Sequence, residues 1–519
     1  MAARARAGID RSNDGEGAMK AMALAVALVM GGPAVAQSTP VETSASVQAL
    51  EPQIGQFFET WLREQHAPGL VYGIVRDGRL VAVRGLGTQD QQAKRPVTAD
   101  TRFRIASMSK AFTALAILDL RDQGKLRLDD LAETYVPEMR GWKYATSDAP
   151  RIRIRDLLTH TAGFVDDNPW GDRQQVLTEA EFTAMLKAGV PFSRPQQSAM
   201  EYSNFGYATL GRIISNVSGK PYQRYITERI LTPLGMTSTG YDVLASPPGS
   251  RAIGYRWENG AYLREPDMKD GAFGAMGGVE TTASDYAKYV AWLLSAWPAR
   301  DGAERGPLKR STVREIVQGS NFAELADRRA GLGEGVCKQA TAYAMGWRVI
   351  QDCDLSYVTH TGGYPGYGSV VILMPEAGVG VFAFSSRTYG APVPPAYKVA
   401  RLMKDAGLAT RRPVALTPGM TTGYAAARDV WQAGDILAAR DRMAMNMLMD
   451  RSAANWRAEL ARLHGQVGAC ATDTPIEPVT AMAGRFRWRC DKGDLAGSIL
   501  LAPTPVPSIQ ELRFVAVPR

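Results

Sequence analysis

The sequence predicts an α+β fold: an antiparallel sheet flanked by helices, a mainly helical lobe and a small C-terminal α+β domain. Strand patterns occur at residues 70–87 and again from residue 342, whereas residues 105–300 consist mostly of helix and loop patterns. Strands at both ends of a helical middle favour one sheet that pairs early strands with late ones. At 519 residues the chain also exceeds what one hydrophobic core supports.

Hydrophobic spacing predicts the individual elements. Apolar residues recur at helical intervals from Val47 to Leu62, which indicates an amphipathic helix over about 45–65. Asp77-Gly78, between two apolar runs, predicts a β-hairpin. The later strands are predicted in "AYAMGWRVI", "LSYVTHTGG", "GSVVILMP" and "GVGVFAFSS", and a last helix in "PPAYKVARLMKDAG". We expect the first and last helices to cover one face of the sheet.

A change in composition after this helix predicts a second domain. Residues 411–423 are rich in Pro, Thr and Gly, as linkers are. Two helical patterns and three strand patterns follow. The predicted division is an N-terminal extension with signal peptide over 1–36, a main domain over 46–408, a linker over 409–423 and a small C-terminal domain over 424–519. No pattern indicates what the last domain does.

The N-terminus has the layout of a secretory signal. Met19-Lys20 precedes an apolar run from Ala21 to Met30, and Ala34-Val35-Ala36 resembles a cleavage site. The run is shorter than the roughly 20 residues that a membrane span needs. We therefore expect cleavage near Gln37, a soluble periplasmic or secreted product without a membrane span, and a true start at Met1 or Met19.

The four cysteines fit an oxidising compartment. Four cysteines allow three pairings, and the pairing between sequence neighbours is Cys337–Cys353 with Cys470–Cys490. None forms a C-x-x-C, and with four histidines in the chain no zinc-ligand spacing occurs. The sequence predicts two short disulfide loops, no metal and no cofactor.

Several functions find no support in the composition or the motifs. The formal charge of +8 is spread over the whole length without a Lys/Arg block, which argues against nucleic-acid binding. No serine has the two flanking glycines of a nucleophile elbow, and no H-E-x-x-H occurs. "GGYPGYG" precedes a strand pattern and no helix start, unlike a phosphate loop. A small-molecule or peptide substrate is the expected partner, and the oligomeric state stays open.

The stretch "ASMSKAF" places Ser107 and Lys110 three residues apart at a helix start, hence on one face. A serine hydroxyl is a poor nucleophile until a base takes its proton, and a lysine with a lowered pKa can do so. Free N–H groups at the helix start favour a developing oxyanion. The alternative is that Ser107 caps the helix and Lys110 is a solvated charge.

Two further stretches carry side chains suited to the same chemistry. "EYSNFGYATLG" supplies Tyr202 as a proton carrier and Asn204 as a partner for a substrate amide. "VTHTGGYPG" supplies His360 and Thr361 on a strand whose backbone can bind an extended acyl chain. Taken singly, Tyr202 is equally a core aromatic, Asn204 a turn residue and His360 a surface histidine.

Together and in this order, these motifs resemble the serine β-lactamase and penicillin-binding superfamily, specifically its class C β-lactamase-like branch. That branch includes D-alanyl-D-alanine carboxypeptidases, D-aminopeptidases and esterases. The resemblance covers roughly residues 46–408. It also rests on the stretches "LLTHTAGF", "YSNFGYATLGRIISNVSG", "ILTPLGMTSTGY" and "GGVETTASDYAKY".

The resemblance implies a β-lactamase/transpeptidase-like fold and a role for each motif residue. Ser107 would attack a carbonyl, and Lys110 and Tyr202 would handle its proton, with the choice of base left open. The N–H groups of Ser107 and Gly363 would form the oxyanion hole. Asn204 would orient the substrate, which lies along the strand of Thr361, Gly362 and Gly363.

One position departs from the β-lactamase pattern. Class C β-lactamases carry a lysine where this chain has His360, and several peptidase and esterase relatives carry histidine. A histidine is mostly neutral near pH 7, so it offers a substrate carboxylate less than a lysine does. We expect an exported serine hydrolase that forms an acyl-enzyme with a small peptide, amide or ester. The alternatives are a slow-turnover penicillin-binding sensor, a true β-lactamase, or a scaffold for a partner held by the C-terminal domain.

Overall fold

The structure is a computed structural model that describes residues 42–328, 332 and 335–517. The predicted signal segment, residues 1–36, lies outside the described residues. Within them, no helix combines the length and apolar character needed to cross a membrane.

The helices are α1 (Glu42–Glu64), α2 (Lys110–Asp122), α3 (Ala132–Tyr135), α4 (Ile154–Leu158), α5 (Asn168–Gly171), α6 (Glu179–Ala188), α7 (Asn204–Ser218), α8 (Tyr222–Ile226), α9 (Ala283–Leu294), α10 (Arg310–Glu315), α11 (Val393–Asp405), α12 (Pro418–Ala433), α13 (Asn446–Asp450) and α14 (Ala453–Val467). The strands are β1 (Gly69–Arg76), β2 (Arg79–Gly87), β3 (Phe103–Arg104), β4 (Tyr255–Glu258), β5 (Ala261–Arg264), β6 (Glu280–Thr281), β7 (Asn321–Asp327), β8 (Lys338–Tyr343), β9 (Arg348–Gln351), β10 (Ser356–Tyr364), β11 (Tyr367–Met374), β12 (Val379–Ser385), β13 (Cys470–Ala471), β14 (Glu477–Pro478), β15 (Ala483–Cys490), β16 (Gly493–Leu501) and β17 (Ile509–Val517).

The main sheet pairs the early hairpin with the late strands. Its eight strands run in the order β2-β1-β12-β11-β10-β9-β8-β7, and each neighbouring pair is antiparallel. The pairing of β1 with β12 places Leu70 opposite Ser385. The predicted α+β fold with one antiparallel sheet is confirmed.

Helices cover both faces of this sheet. On one face α1 and α11 pack against a core that includes Tyr72 and Val381. On the other face α9 packs against Val71 and Phe382, and the same core continues into α2 and α7. Because side chains on both faces are buried, β1, β11 and β12 are apolar nearly throughout instead of alternating. The two outer helices lie on one face, as predicted.

The edge of the sheet differs from the prediction. The segment predicted as the single strand "AYAMGWRVI" forms β8 and β9, joined by a turn in which Gly346 has a φ of 78°. The adjoining edge strand β7 has no counterpart among the predicted strands. Its apolar residues Phe322 and Leu325 are 69% and 63% exposed, so it lacks the buried alternation that marks a strand in a sequence.

A C-terminal strand domain follows. Strands β13–β17 form a separate sheet, and α12 and α14 pack on it around a core that includes Trp431 and Trp488. Helix α12 begins at Pro418, inside the predicted linker. Thr417 accepts a hydrogen bond from the Met420 N–H, and a proline suits a first helical position, so this Thr-Pro pair starts a helix. The division at residue 424 stays a prediction.

Both predicted disulfides are present. Cys337 pairs with Cys353, and Cys470 pairs with Cys490. The second disulfide joins directly opposed residues of β13 and β15. Each bridge therefore closes a loop within its own part of the chain.

Candidate active site

Ser107 lies in a tight turn between β3 and α2. The turn is a 3-10 segment, Ala106–Ser109, and α2 begins at Lys110. Ala106 has a φ of 48°, in the left-handed region that non-glycine residues seldom adopt. Backbone strain of this kind concentrates at functional sites. The turn presents the Ser107 hydroxyl to Lys110, whose Nζ lies 3.1 Å from the Ser107 Oγ.

Two other serines of the same sequence motifs, Ser109 and Ser203, have structural roles. The Ser109 Oγ accepts a hydrogen bond from the Val279 N–H at 3.0 Å. The Ser203 Oγ accepts one from the Gly206 N–H at 3.1 Å and thereby caps α7. Of the three hydroxyls, that of Ser107 faces the lysine.

Lys110 is fully buried and has three hydrogen-bond partners. Besides the Ser107 Oγ, its Nζ lies 2.6 Å from the Asn204 Oδ1 and 2.8 Å from the Met276 carbonyl oxygen. Burial lowers the pKa of Lys110 below its usual value, while the charges of Asp172 and Asp167 act in the opposite direction. A neutral amine here donates its two N–H bonds to Asn204 and Met276 and directs its lone pair towards Ser107. The arrangement suits a lysine that takes the serine proton.

Tyr202 completes the group around Ser107. Its ring centroid lies 4.9 Å from the Lys110 Nζ, and its hydroxyl is near enough to Ser107 for that side chain to influence its pKa. Burial raises the pKa of Tyr202 well above its usual value, although the neighbouring Ser107 side chain acts in the opposite direction. The phenol therefore keeps its proton at neutral pH.

His360 lies on β10 and is buried. Its Nδ1 lies 2.7 Å from the Thr361 carbonyl oxygen, so Nδ1 is the protonated nitrogen. Its Nε2 then accepts the hydrogen bond from the Tyr343 hydroxyl at 3.1 Å. Burial and the charge of Lys110 lower the pKa of His360 to about 3. The ring is therefore uncharged at neutral pH, whereas the sequence alone predicted a histidine that is only mostly neutral.

The strand after His360 runs directly against the turn that carries Ser107. A side chain at Gly362 would come within 2.2 Å of the Ile105 carbonyl oxygen, so only glycine permits this approach. At Gly363 the ring of Tyr389 occupies the same space, 2.8 Å from an added Cβ. Strand β9 pairs with β10 only as far as Thr359, whereas β11 pairs along its whole second half. Beyond Thr359 no described strand pairs with β10 on the β9 side. The peptide-binding edge that we predict is therefore confined to residues 360–364.

An apolar cavity of about 390 Å³ flanks the start of α7. It is lined by Phe164, Val165, Asp166, Asp167, Trp170, Met185, Val190, Pro191, Ser203 and Phe205. Since Ser203 stands between Tyr202 and Asn204 in the chain, the cavity adjoins the predicted site residues.

Known proteins resemble this chain over the residues that carry the candidate site. Residues 47–405 match the family model described as Beta-lactamase. The chain belongs to the beta-lactamase family. It is 29% identical over 339 residues to Protein flp of Staphylococcus aureus (strain NCTC 8325 / PS 47), a match that covers 64% of this chain and 62% of that protein. The family predicted from the motifs is confirmed.

Solved structures show the same beta-lactamase fold. The octameric penicillin-binding protein homologue from Pyrococcus abyssi has a TM-score of 0.59 at 20% identity, covering 89% of this chain and 99% of the other. EstCE1, a hydrolase with promiscuous acyltransferase activity, has a TM-score of 0.56 at 21% identity, with coverage of 69% and 99%. A class C beta lactamase from Rhodobacter sphaeroides has a TM-score of 0.51 at 22% identity, with coverage of 68% and 99%.

Two residues beside the candidate site were not predicted from the sequence. His160, in the quoted "LLTHTAGF", has a φ of 57° and packs its ring 4.4 Å from that of Tyr202. Its Nδ1 accepts the Ser203 N–H at 3.1 Å. Asp167 accepts the N–H groups of Asn204 and Phe205 at 2.6 and 2.8 Å. A histidine and an aspartate in loops have no local motif that predicts such contacts.

Proposed function

We propose that this protein is an exported serine hydrolase that forms an acyl-enzyme on Ser107 with small esters or amides. The observation that carries the proposal is the 3.1 Å contact between the Ser107 Oγ and the Nζ of a lysine that has no exposure to solvent. Such a lysine loses its proton more readily than an exposed one. EstCE1, whose fold is similar, is a hydrolase with acyltransferase activity, and this supports the reaction class.

Acylation uses Lys110 as the base. Lys110 Nζ takes the hydroxyl proton as Ser107 Oγ bonds to the carbonyl carbon, and the carbonyl electron pair moves onto its oxygen. The N–H groups of Ser107 and Gly363 hold that oxyanion. When the oxyanion collapses, the bond to the leaving group breaks, and the proton on Lys110 passes to it through the Tyr202 hydroxyl. Water then attacks the acyl-enzyme with the same groups in reverse order, which regenerates Ser107.

Asn204 acts mainly on the lysine. Its Oδ1 is bound to Lys110, and its Nδ2 donates to the Asn168 Oδ1 at 3.3 Å. A substrate amide that binds Asn204, as predicted, would replace the 3.3 Å hydrogen bond from Asn204 to Asn168. Asn204 therefore holds Lys110 in place first, and orients a substrate amide second.

The substrate class follows from the uncharged His360. A charge-assisted hydrogen bond contributes about 1.5–3 kcal/mol, against roughly 0.5–1.5 for a neutral one. A substrate carboxylate beside β10 would lose that difference, whereas an ester or amide without a carboxylate loses little. Short-chain aryl esters and amino-acid amides are thus favoured over penicillins and cephalosporins. Export is supported by the two disulfides, which persist in oxidising compartments.

A substrate panel tests this proposal. Turnover and intact mass are measured with p-nitrophenyl acetate, D-alanine amide, benzylpenicillin and a cephalosporin. We expect multiple turnovers of the ester or the amide, and slow β-lactam turnover. His360→Lys should raise β-lactam acylation relative to ester hydrolysis by about tenfold, because a lysine can carry a positive charge where the histidine is neutral. His360→Gln, which adds none, is the matched control.

Two outcomes of the panel would overturn the proposal. One is a wild-type enzyme that clears a cephalosporin faster than any ester or amide, which would indicate a true β-lactamase. The other is a single acyl group that stays on every chain with each compound, which would indicate a sensor.

A further inference from the structure

Tyr389 is a half-exposed aromatic residue on the short loop between β12 and α11. It is 48% exposed, and its φ of 53° lies in the left-handed region that favours glycine. Because the backbone alone would favour glycine at this position, the role of the residue lies in its side chain. A strained backbone of this kind points to a function for the residue that it carries.

Hydrogen bonds fix the loop of Tyr389 against the end of β10. The Tyr389 N–H donates to the Tyr364 carbonyl oxygen at 3.2 Å. The neighbouring Thr388 hydroxyl accepts the Gly366 N–H at 2.8 Å, in the turn that follows β10. A side chain on a loop fixed in this way is pre-organised, so that binding a ligand costs it little conformational entropy.

The ring of Tyr389 lies beside the proposed oxyanion donor. Its Cδ1 and Cε1 atoms lie 2.8 and 3.5 Å from the point that a Cβ on Gly363 would occupy. Gly363 belongs to the edge of β10, residues 360–364, along which we expect an extended acyl group to bind. Burial, and to a smaller extent the nearby Asp172, raises the pKa of Tyr389 to about 12, so the phenol is neutral. An acyl group held at Gly363 therefore meets an uncharged aromatic ring.

We infer that Tyr389 is a specificity-determining residue whose ring binds an aromatic acyl group of the substrate. The inference rests on the proposed acylation of Ser107 with Gly363 as an oxyanion donor. Because Gly363 also holds the oxyanion, the substrate ring stands close to the scissile carbonyl, and the chemical class is arylacetyl esters and amides. Two aromatic rings attract each other beyond the area that they bury, whereas a saturated ring gains only the burial.

The test compares two esters that differ only in whether the ring of the acyl group is aromatic or saturated. kcat/KM is measured for p-nitrophenyl phenylacetate and p-nitrophenyl cyclohexylacetate, each divided by the hydroxide-catalysed rate constant of the same ester. We expect the wild type to prefer the phenylacetyl ester by about threefold to tenfold. Tyr389→Ala should lose this preference, whereas Tyr389→Phe, which keeps the ring, should retain it.

The matched control removes an exposed aromatic ring elsewhere. Phe322 is 69% exposed and lies on β7, three strands away from β10 in the sheet. Phe322→Ala should therefore keep the preference of the wild type. An equal loss of activity towards both esters in Tyr389→Ala would overturn the inference, because it would mean that Tyr389 only supports Gly363.

A second measurement needs no variant. Phenylacetamide should inhibit p-nitrophenyl acetate hydrolysis by the wild type at a concentration about threefold lower, or more, than cyclohexylacetamide does. Equal inhibition by the two amides, or equal corrected rates with the two esters, would overturn the inference. Failure of p-nitrophenyl acetate to acylate Ser107 would instead overturn the proposed function.

Discussion

Lys110 shows how one residue is prepared for proton transfer. It is buried, yet its three hydrogen-bond directions are all used, by Ser107, Asn204 and Met276. Burial alone would leave a mobile amine with a lowered pKa, and hydrogen bonds alone would leave a charged one. The combination holds a readily deprotonated amine at a fixed distance from the nucleophile.

The pH dependence of activity should report this lysine. Folded Lys110 has a pKa below its usual value of 10.5, and only the neutral amine accepts the proton of Ser107. We therefore expect kcat/KM for p-nitrophenyl acetate to rise with pH and to level off well below pH 10.5. Lys110→Met should lose about 10²–10⁴-fold in rate, as expected for removal of a general base.

An activity that falls steadily between pH 6 and pH 9 would contradict this role. The protonation of His360 should not contribute a limb in that range, because burial lowers its pKa to about 3. His360→Gln is accordingly the control, and its profile should have the same shape as that of the wild type.

Local motifs predicted some site residues and not others. Ser107 and Lys110 are three residues apart, and Tyr202 and Asn204 are two apart, so each pair is visible in a short stretch. Asp167 has no such partner nearby in the sequence, and it reaches the site because its carboxylate accepts the N–H groups of Asn204 and Phe205. Contacts between loops depend on the whole fold, so a sequence pattern does not reveal them.

At the scale of elements, the start of helix α7 carries Asn204, which is hydrogen-bonded to Lys110. Asp167 accepts the first two N–H groups of this helix, those of Asn204 and Phe205. Free N–H groups at a helix start need such acceptors. The loop before α5 is thereby fastened to the helix that carries Asn204.

Removal of this cap should reduce both stability and rate. We expect Asp167→Ala to lower the free energy of unfolding by about 1–3 kcal/mol, measured by denaturant titration. kcat should fall as well, because a displaced Asn204 no longer holds Lys110. Asp167→Asn, which keeps one acceptor oxygen, should lie between the alanine variant and the wild type.

Asp148→Ala serves as the matched control, since Asp148 is exposed and lies in another loop. Equal denaturation midpoints for Asp167→Ala and Asp148→Ala would show that the cap has no energetic role.

Elements were predictable where burial leaves a periodic signal. The hairpin β1–β2 and the strands β10–β12 carry continuous or alternating apolar residues between turn residues, and all of them are present. The edge strand β7 exposes its apolar side chains, and the start of α12 has the composition of a linker. Pairing with a neighbouring strand forms β7, and a capping residue starts α12. Composition alone predicts neither element.

For the whole molecule, the site exists because distant segments converge. The turn of Ser107 follows the early strands, Tyr202 and Asn204 begin a helix in the middle of the chain, and β10 belongs to the late strands. An antiparallel sheet that joins the first and last parts of the domain brings β10 against that turn. The family resemblance predicted this convergence, whereas composition and periodicity predicted only the sheet and the helical middle.

The most direct test of the central claim is to map the residue that a serine-directed aryl phosphonate labels. After labelling and digestion, mass spectrometry should place the adduct on Ser107. Ser107→Ala should remain unlabelled while keeping its fold, and Ser109→Ala should be labelled like the wild type, because Ser109 bonds to the Val279 N–H. An adduct on Ser109 or Ser203 in the wild type would contradict the account.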